Sequence, residues 1–459
     1  MTAWRAPAMA VAVVQDDRVI LAKAYGVKEI GKPDRVNAST LFEIGSTTKA
    51  FTSTAVSMLV SDGGLSWDEP VRDVLPWFHL ADSCADGSVT LRDLLSHRTG
   101  LARHDELWDY TSMSRRELLE HIGHVALSKP IRASYQYNNL MFVAAGETVA
   151  AGAKTSWEDF IRTRIFAPLQ MTQSRISFAE WNASDHALGH RFDHKSGSVV
   201  LQIFNNYDAI APAGTIKSSA HDMAQWLRFQ LAGGVIDGKR LVAQDAFDET
   251  HMPQIVIRRD AESKVTSPET NVSSYAMGWN VLDYRGEMLI AHAGALNAFR
   301  SQVALLPDRH FGVAILTNIG RGQSALALRN LLLDQFLGKR NRDWNALLLD
   351  SEKKSDEKSD EAKRAREANR PRDTHPSRNL DAYAGNYTSA GFGTAAVTAA
   401  NDMLTLHWGN LALPLTHYAY DTFHAIDDDR DLDELVQFRI DADGNVKTLT
   451  LFGEEMTKK

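Results

Sequence analysis

The sequence predicts a mixed α/β protein of the α+β kind, with one sheet carrying a helical insertion and a small antiparallel β domain behind it. Three observations carry this. Within the first 345 residues, β-type runs cluster near the two ends and helical periodicity fills the middle. Around residue 350 the composition turns abruptly to mixed charge, and beyond Pro376 alternating β patterning returns to the end of the chain. The implied boundaries are a first domain over 1–345, a charged linker over 346–378 and a second domain over 379–459.

Taken in order, 9–24 reads as two strands about the polar turn Gln15-Asp16-Asp17. Apolar periodicity then predicts helices over 48–61, 91–96 and 140–150. Ser156, followed by Glu158 and Asp159, looks like a capped helix start that Pro168 ends. β-type runs follow at 275–282, 288–292, 301–306 and 312–317, so the sheet should be assembled from both termini of the domain. The run 350–373 is nearly devoid of apolar residues other than alanine and reads as a solvated linker or an exposed helix. In the last domain strands are expected at 395–397, 404–408, 411–415, 435–440 and 446–452, with Asp443-Gly444-Asn445 as a turn.

At roughly 100–200 residues per domain, 459 residues allow about two to four domains and a sizeable core. With 44% hydrophobic and 24% charged residues, the chain has the composition of an ordinary globular protein. Its 50 Lys plus Arg against 58 Asp plus Glu give a net charge of −8, which argues against a general nucleic-acid binder. The one cysteine, Cys84, excludes an intrachain disulfide and any multi-cysteine metal site. No apolar run approaches the roughly 20 residues of a membrane-spanning helix. The N-terminus lacks the pattern of an export signal, so the expected compartment is cytoplasmic, or periplasmic or secreted if a leader was removed.

Three short patterns carry chemistry. In Ser46-Thr47-Thr48-Lys49 a serine precedes a helix and a lysine follows one turn later, where its amine can approach the hydroxyl; serine needs such a base to act as a nucleophile. The helix N-terminus adds N–H groups that favour developing negative charge. Alone the pattern is weak, because a capping serine and an exposed lysine are its commoner meaning. Tyr137-Asn138-Asn139 offers a phenol that can shuttle protons near a cation and an amide that can hold a carbonyl, although Asn-Asn before a helix is also good turn chemistry. His292-Ala293-Gly294 ends a strand-like run, with small residues that let a ligand lie against the backbone. His121 and His124 have helical spacing but no evident acidic third ligand, so no metal is expected. Trp108, Tyr110, Tyr135 and Tyr207 suit a cleft or a core equally.

The order Ser-x-x-Lys, Tyr-x-Asn, His-x-Gly at 46, 137 and 292 resembles the serine hydrolases of the class C β-lactamase and D,D-peptidase superfamily. The resemblance extends to Leu41-Phe42-Glu43-Ile44-Gly45, to 90–101 with Leu95-Ser96-His97-Arg98-Thr99-Gly100, to Ile165-Phe166-Ala167-Pro168-Leu169 and to Pro212-Ala213-Gly214, over roughly residues 3–340. The tail from Tyr383-Ala384-Gly385-Asn386-Tyr387 to Phe452 is similar to the lipocalin-like β-barrel that some members append. The resemblance implies a β-lactamase-like antiparallel sheet flanked by helices, with a helical subdomain. It also implies a cofactor-free hydrolase in which Ser46 is acylated, Lys49 is its partner amine, Tyr137 is general base and proton shuttle, and Asn139 holds the substrate amide. His292 takes the place of the third-motif lysine, and the oxyanion hole is formed by the N–H groups of Ser46 and Ala295 beside Gly294. Whether Lys49 or Tyr137 takes the serine proton stays open. The implied partner is a small ester, peptide or β-lactam-like substrate, and a homo-oligomer is left open.

Histidine at 292 matters, because at its ordinary pKa near 6.5 it is only partly charged at neutral pH, whereas lysine is a fixed cation for a substrate carboxylate. The expected activity is therefore that of an esterase or D-stereospecific peptidase. The alternatives are a β-lactamase or penicillin-binding D,D-carboxypeptidase, and a non-catalytic relative that binds peptidoglycan fragments. His292→Lys is expected to raise the rate of β-lactam hydrolysis, followed with a chromogenic cephalosporin.

Overall fold

The computed structural model describes residues 1–459 apart from 194–195, 322, 340, 429 and 431. The chain forms two compact units, one of Met1–Phe78, Asp82–Arg103 and Leu127–Lys354, the other of His79–Ala81, His104–Ala126 and Ser355–Lys459. The second unit thus combines the C-terminal β domain with two stretches drawn from far upstream.

The first unit is built on an eight-stranded sheet in the order Arg18–Gly26, Ala8–Gln15, Phe311–Thr317, Phe299–Leu306, Glu287–Leu296, Asn280–Tyr284, Ser273–Tyr275, Ile255–Val256. All its pairings are antiparallel. As the pattern predicts, the two termini of the unit meet in it, Val11 opposite Ile315. The first hairpin turns at Asp16 and Asp17, both with positive φ (48° and 62°), which aspartate tolerates and a two-residue turn of the right twist requires.

The strand Ala8–Gln15 is buried on both faces. Met9, Val11 and Val13 join Val313, Ile315, Trp344 and Leu348 in one core layer. Ala10, Ala12 and Gly312 face the other way, small enough for the helix Ala220–Leu231 to lie close: a Cβ on Gly312 would meet Leu227 and Leu231 at 3.2–3.3 Å.

The helix Thr48–Ser61 is buried nearly all round, so its polar side chains need partners. Thr52 donates to the Pro212 carbonyl at 2.6 Å and Ser57 to the Ala246 carbonyl at 2.7 Å. The helix Asn139–Ala153 is capped by Asn138, whose side chain accepts from the Met141 N–H. Two expectations change. The run 275–282 is not one strand: it is broken between Tyr275 and Asn280 by a tight turn in which Gly278 has φ +79°. A side chain on Gly278 would strike Ser53 Oγ and the Lys49 carbonyl within 3 Å, so the turn is seated on the helix that follows Ser46. And the run 288–292 does not stop at His292, since the strand continues to Leu296.

In the second unit eight antiparallel strands from Gly385–Ser389 to Glu454–Lys458 close into a barrel. Its inward positions, among them Tyr387, Leu406, Leu413, Phe423, Phe438 and Leu449, are buried apolar side chains, as a barrel of this strand number needs to fill its interior. The Tyr110 ring stacks on Phe452 at 5.7 Å and the Tyr110 carbonyl accepts from Asn410 N–H, so this cleft candidate packs on the barrel instead. Of the two readings of the charged run, the exposed helix is realised, as Trp344–Ala368. Lysine and acid four residues apart, such as Asp350 and Lys354 at 2.7 Å, suit such a helix, and Arg366 holds Asp433 of the barrel at 2.7 Å. No helix among the described residues is long and apolar enough to cross a membrane.

Gly146, inside Asn139–Ala153, lies where an added Cβ would sit 2.2 Å from the Pro212 ring. Alanine gains about 1 kcal/mol of helix propensity, but overpacking against a rigid ring costs about 1–3 kcal/mol. Gly146→Ala should therefore lower the thermal midpoint, as measured by calorimetry, although the same change elsewhere in a helix raises it.

Candidate active site

Ser46 sits in a single 3-10 turn, Gly45–Thr47, that runs directly into the helix Thr48–Ser61. Lys49, on the first turn of that helix, is fully buried. Its Nζ lies 3.1 Å from Ser46 Oγ, 2.7 Å from Asn139 Oδ1 and 2.8 Å from the Ala213 carbonyl. Three acceptors match the three N–H donors of an ammonium, and they come from three separate parts of the chain. The amine also stands 4.8 Å from the centre of the Tyr137 ring and 5.4 Å from that of Phe142. On Tyr137 it is joined by the guanidinium of Arg103, 4.9 Å from the ring centre. The phenol is thus flanked by two cationic groups.

The strand Glu287–Leu296 completes the site. A Cβ on Gly294 would lie 1.9 Å from the Ile44 carbonyl and 2.3 Å from Ser301 Oγ, so only glycine allows this strand to reach the segment that leads into Ser46. A Cβ on Gly45, itself at φ +53°, would lie 2.5 Å from the Ala295 nitrogen. That nitrogen is therefore beside the turn that carries Ser46. Pairing with Asn280–Tyr284 stops at Ala291, which leaves the edge of 292–296 on that side uncovered by it, and the Ala293 and Ala295 side chains are exposed.

His292 is in this strand but inside it. Only 4% of it is exposed, and burial together with the nearby Lys49 charge brings its pKa down to about 3. Nδ1 points at the Ala293 carbonyl at 2.6 Å and so carries the proton; Nε2 then accepts from the Tyr275 hydroxyl at 2.9 Å. The partly charged imidazole expected from an ordinary histidine is thus a neutral ring with both nitrogens engaged.

All the residues singled out in the sequence for this site, Ser46, Lys49, Tyr137, Asn139, His292, Gly294 and Ala295, converge here. Three contributors were not singled out. Tyr275 engages His292, and Ala213 supplies a carbonyl that no side-chain motif announces. His97 is buried at φ +57°, with its ring 4.2 Å from that of Tyr137 and 4.8 Å from that of Tyr275. Its Nδ1 accepts from the Asn138 N–H at 3.1 Å, which fixes the segment between Tyr137 and Asn139. Burial, with Lys49 and His292 nearby, holds its pKa well below 6.5. The signal available for it was a histidine beside Arg98-Thr99-Gly100, a turn rather than a catalytic pattern.

The family model described as Beta-lactamase matches residues 1–336, and one described as a domain of unknown function, DUF3471, matches 369–459. The chain belongs to the β-lactamase family. Among curated relatives, the unguisins hydrolase ungD' of Aspergillus campestris is 30% identical over 370 residues, which cover 77% of this chain and 67% of that protein. The unguisins hydrolase ungD of Aspergillus violaceofuscus is 25% identical over 69% of this chain and 59% of its own length. Protein flp of Staphylococcus aureus is 25% identical over 68% of this chain and 60% of its own length. The chain thus spans only about three fifths of the last two. Among solved structures, the octameric penicillin-binding protein homologue from Pyrococcus abyssi shares the fold with TM-score 0.66 at 21% identity, over 100% of this chain and 97% of that one. A crystal structure of SurE gives 0.58 at 19% identity, over 99% and 95%.

Removing the His97 acceptor should misplace Tyr137 and Asn139, and misplacement of about an ångström costs about a hundredfold in rate. His97→Leu should lower kcat on a short ester by about ten- to a hundredfold with KM little changed. His97→Asn, whose Oδ1 can stand where Nδ1 does, should recover most of the loss, and steady-state kinetics on both variants check it. Acid should also unfold this unit through its histidines. His251 and His292 have folded pKa values of about 4 and 3, against 6.5 unfolded. The unfolded chain therefore binds more protons below pH 6.5, and stability is complete above that pH and lost as it falls toward about 4. In denaturant titrations from pH 7.5 to 4.5, His251→Gln should flatten the slope by up to about 1.4 kcal/mol per pH unit.

Proposed function

We propose that this chain is a serine hydrolase working through an acyl-enzyme on esters or on short peptides and amides. The observation that carries the reading is the contact of the buried Lys49 amine with both Ser46 Oγ and Asn139 Oδ1. In this reading Ser46 Oγ forms a bond to the substrate carbonyl carbon, and the ester or amide bond to the leaving group breaks. The serine proton goes to the Tyr137 phenolate, with the Lys49 ammonium keeping its charge, and from Tyr137 to the leaving group; water then releases the acyl group by the reverse route. Two cations against the Tyr137 ring provide the surroundings a phenolate needs. The oxyanion meets the backbone N–H groups of Ser46 and Ala295, and each such donor is worth about 3–4 kcal/mol in comparable sites.

The neutral, engaged His292 supports esters, amides and peptides over substrates that need a fixed cation for a carboxylate at this position. The name unguisins hydrolase, carried by the relatives, agrees with a hydrolytic activity.

With a chromogenic short-chain ester, Ser46→Ala should lower kcat by at least about a thousandfold, and a fluorophosphonate should add to Ser46 in intact-mass and peptide-mapping measurements. Undiminished turnover in Ser46→Ala would overturn the assignment.

A further inference from the structure

A cavity of about 590 Å³ opens on the far side of the Tyr-x-Asn segment, between Ala133–Tyr135 and the chain from Pro253 to Arg258. Its volume lies within the range of about 300–1,000 Å³ typical of ligand sites. The Tyr135 ring forms part of its wall and separates it from the catalytic phenol by one layer: Tyr135 is 5.8 Å from the His97 ring, and His97 is 4.2 Å from Tyr137.

Two features of the wall are unusual for an inert hollow. First, Ile255–Val256 is the outermost strand of the sheet. Ile257 N–H donates inward to the Ser273 carbonyl at 2.8 Å, so by antiparallel alternation the N–H and C=O of Val256 point outward from the sheet. The Val256 side chain is 67% exposed, and no further strand pairs there among the described residues. Second, Arg258 at the rim is exposed and has no hydrogen-bond or ion-pair partner among the described residues.

We propose that this cavity is an extended subsite that takes an acidic peptide segment remote from the scissile bond. The segment lies as an added strand on the Val256 edge, its apolar side chains meet Tyr135, Ile255 and Ile257, and its carboxylate pairs with Arg258. The main-chain pair at Val256 selects a peptide, because only an extended peptide returns a donor and an acceptor at that spacing. The free guanidinium selects a carboxylate, which it can hold with two N–H donors. This rests on the acyl-transfer reading of the Ser46 site, which it extends to peptide substrates with acidic extensions.

The test separates the two. Fluorescent pentapeptides ending in two aspartates or two lysines are titrated by anisotropy against full-length Ser46→Ala protein, alone and combined with Arg258→Glu or Val256→Pro. Short-ester turnover by the single variants Arg258→Glu and Val256→Pro reports folding. The acidic peptide should bind about tenfold or more tightly than the basic one. Arg258→Glu should reverse that preference, Val256→Pro should weaken both peptides, and the ester should be hydrolysed at wild-type rate. Equal binding of both peptides, or acidic binding unaffected by Arg258→Glu, overturns the subsite whether or not the ester is hydrolysed. Absence of ester turnover in the wild-type chain overturns the hydrolase reading and leaves the peptide titration to decide the subsite by itself.

Discussion

The arrangement of the first unit depends on the burial of one amine. Lys49 is withdrawn entirely from water, and a buried ammonium costs several kcal/mol unless its protons find acceptors. The acceptors are Ser46 on the preceding turn, Asn139 at the start of another helix, and the carbonyl of Ala213. Satisfying this one group therefore fixes three segments that are far apart in the chain. The contact of Gly146 with Pro212 and the bond from Thr52 to the Pro212 carbonyl serve the same end, because they hold the stretch that supplies the third acceptor.

A second constraint is the close approach of backbone to backbone at Gly45 and Gly294. The strand Glu287–Leu296 and the turn holding Ser46 come nearer than any side chain would permit, and this brings the Ala295 nitrogen beside the turn of Ser46. The aromatic layer of His97, Tyr135, Tyr137 and Tyr275 backs that contact with rings 4.2–5.8 Å apart. Within it both histidines are neutral because water is excluded, so the site's positive charge is concentrated on Lys49 and Arg103, the two groups that touch the Tyr137 ring.

The sheet with its helical insertion, the helix after Ser46, the helix after Tyr137-Asn138-Asn139 and the charged stretch before a β domain were all legible, because each rests on local periodicity or a local cap. Ser46, Lys49, Tyr137, Asn139 and His292 were legible as residue types in order. What misled was also local. The apolar run 275–282 has strand composition throughout, yet Gly278 turns it against the helix of Lys49; and 104–126, with no pattern to set it apart, packs with the barrel strands.

By itself, then, the sequence determined which segments are helix or strand and which side chains the candidate site draws together, since propensity, capping and spacing act over a few residues. Tertiary structure alone decided the charge on His292, the role of His97 in holding Asn138, the Ala213 carbonyl as an acceptor and the open edge at Val256. Each of these depends on burial or on backbone groups brought together from distant parts of the chain, and neither desolvation nor a main-chain contact leaves a mark in the order of side chains.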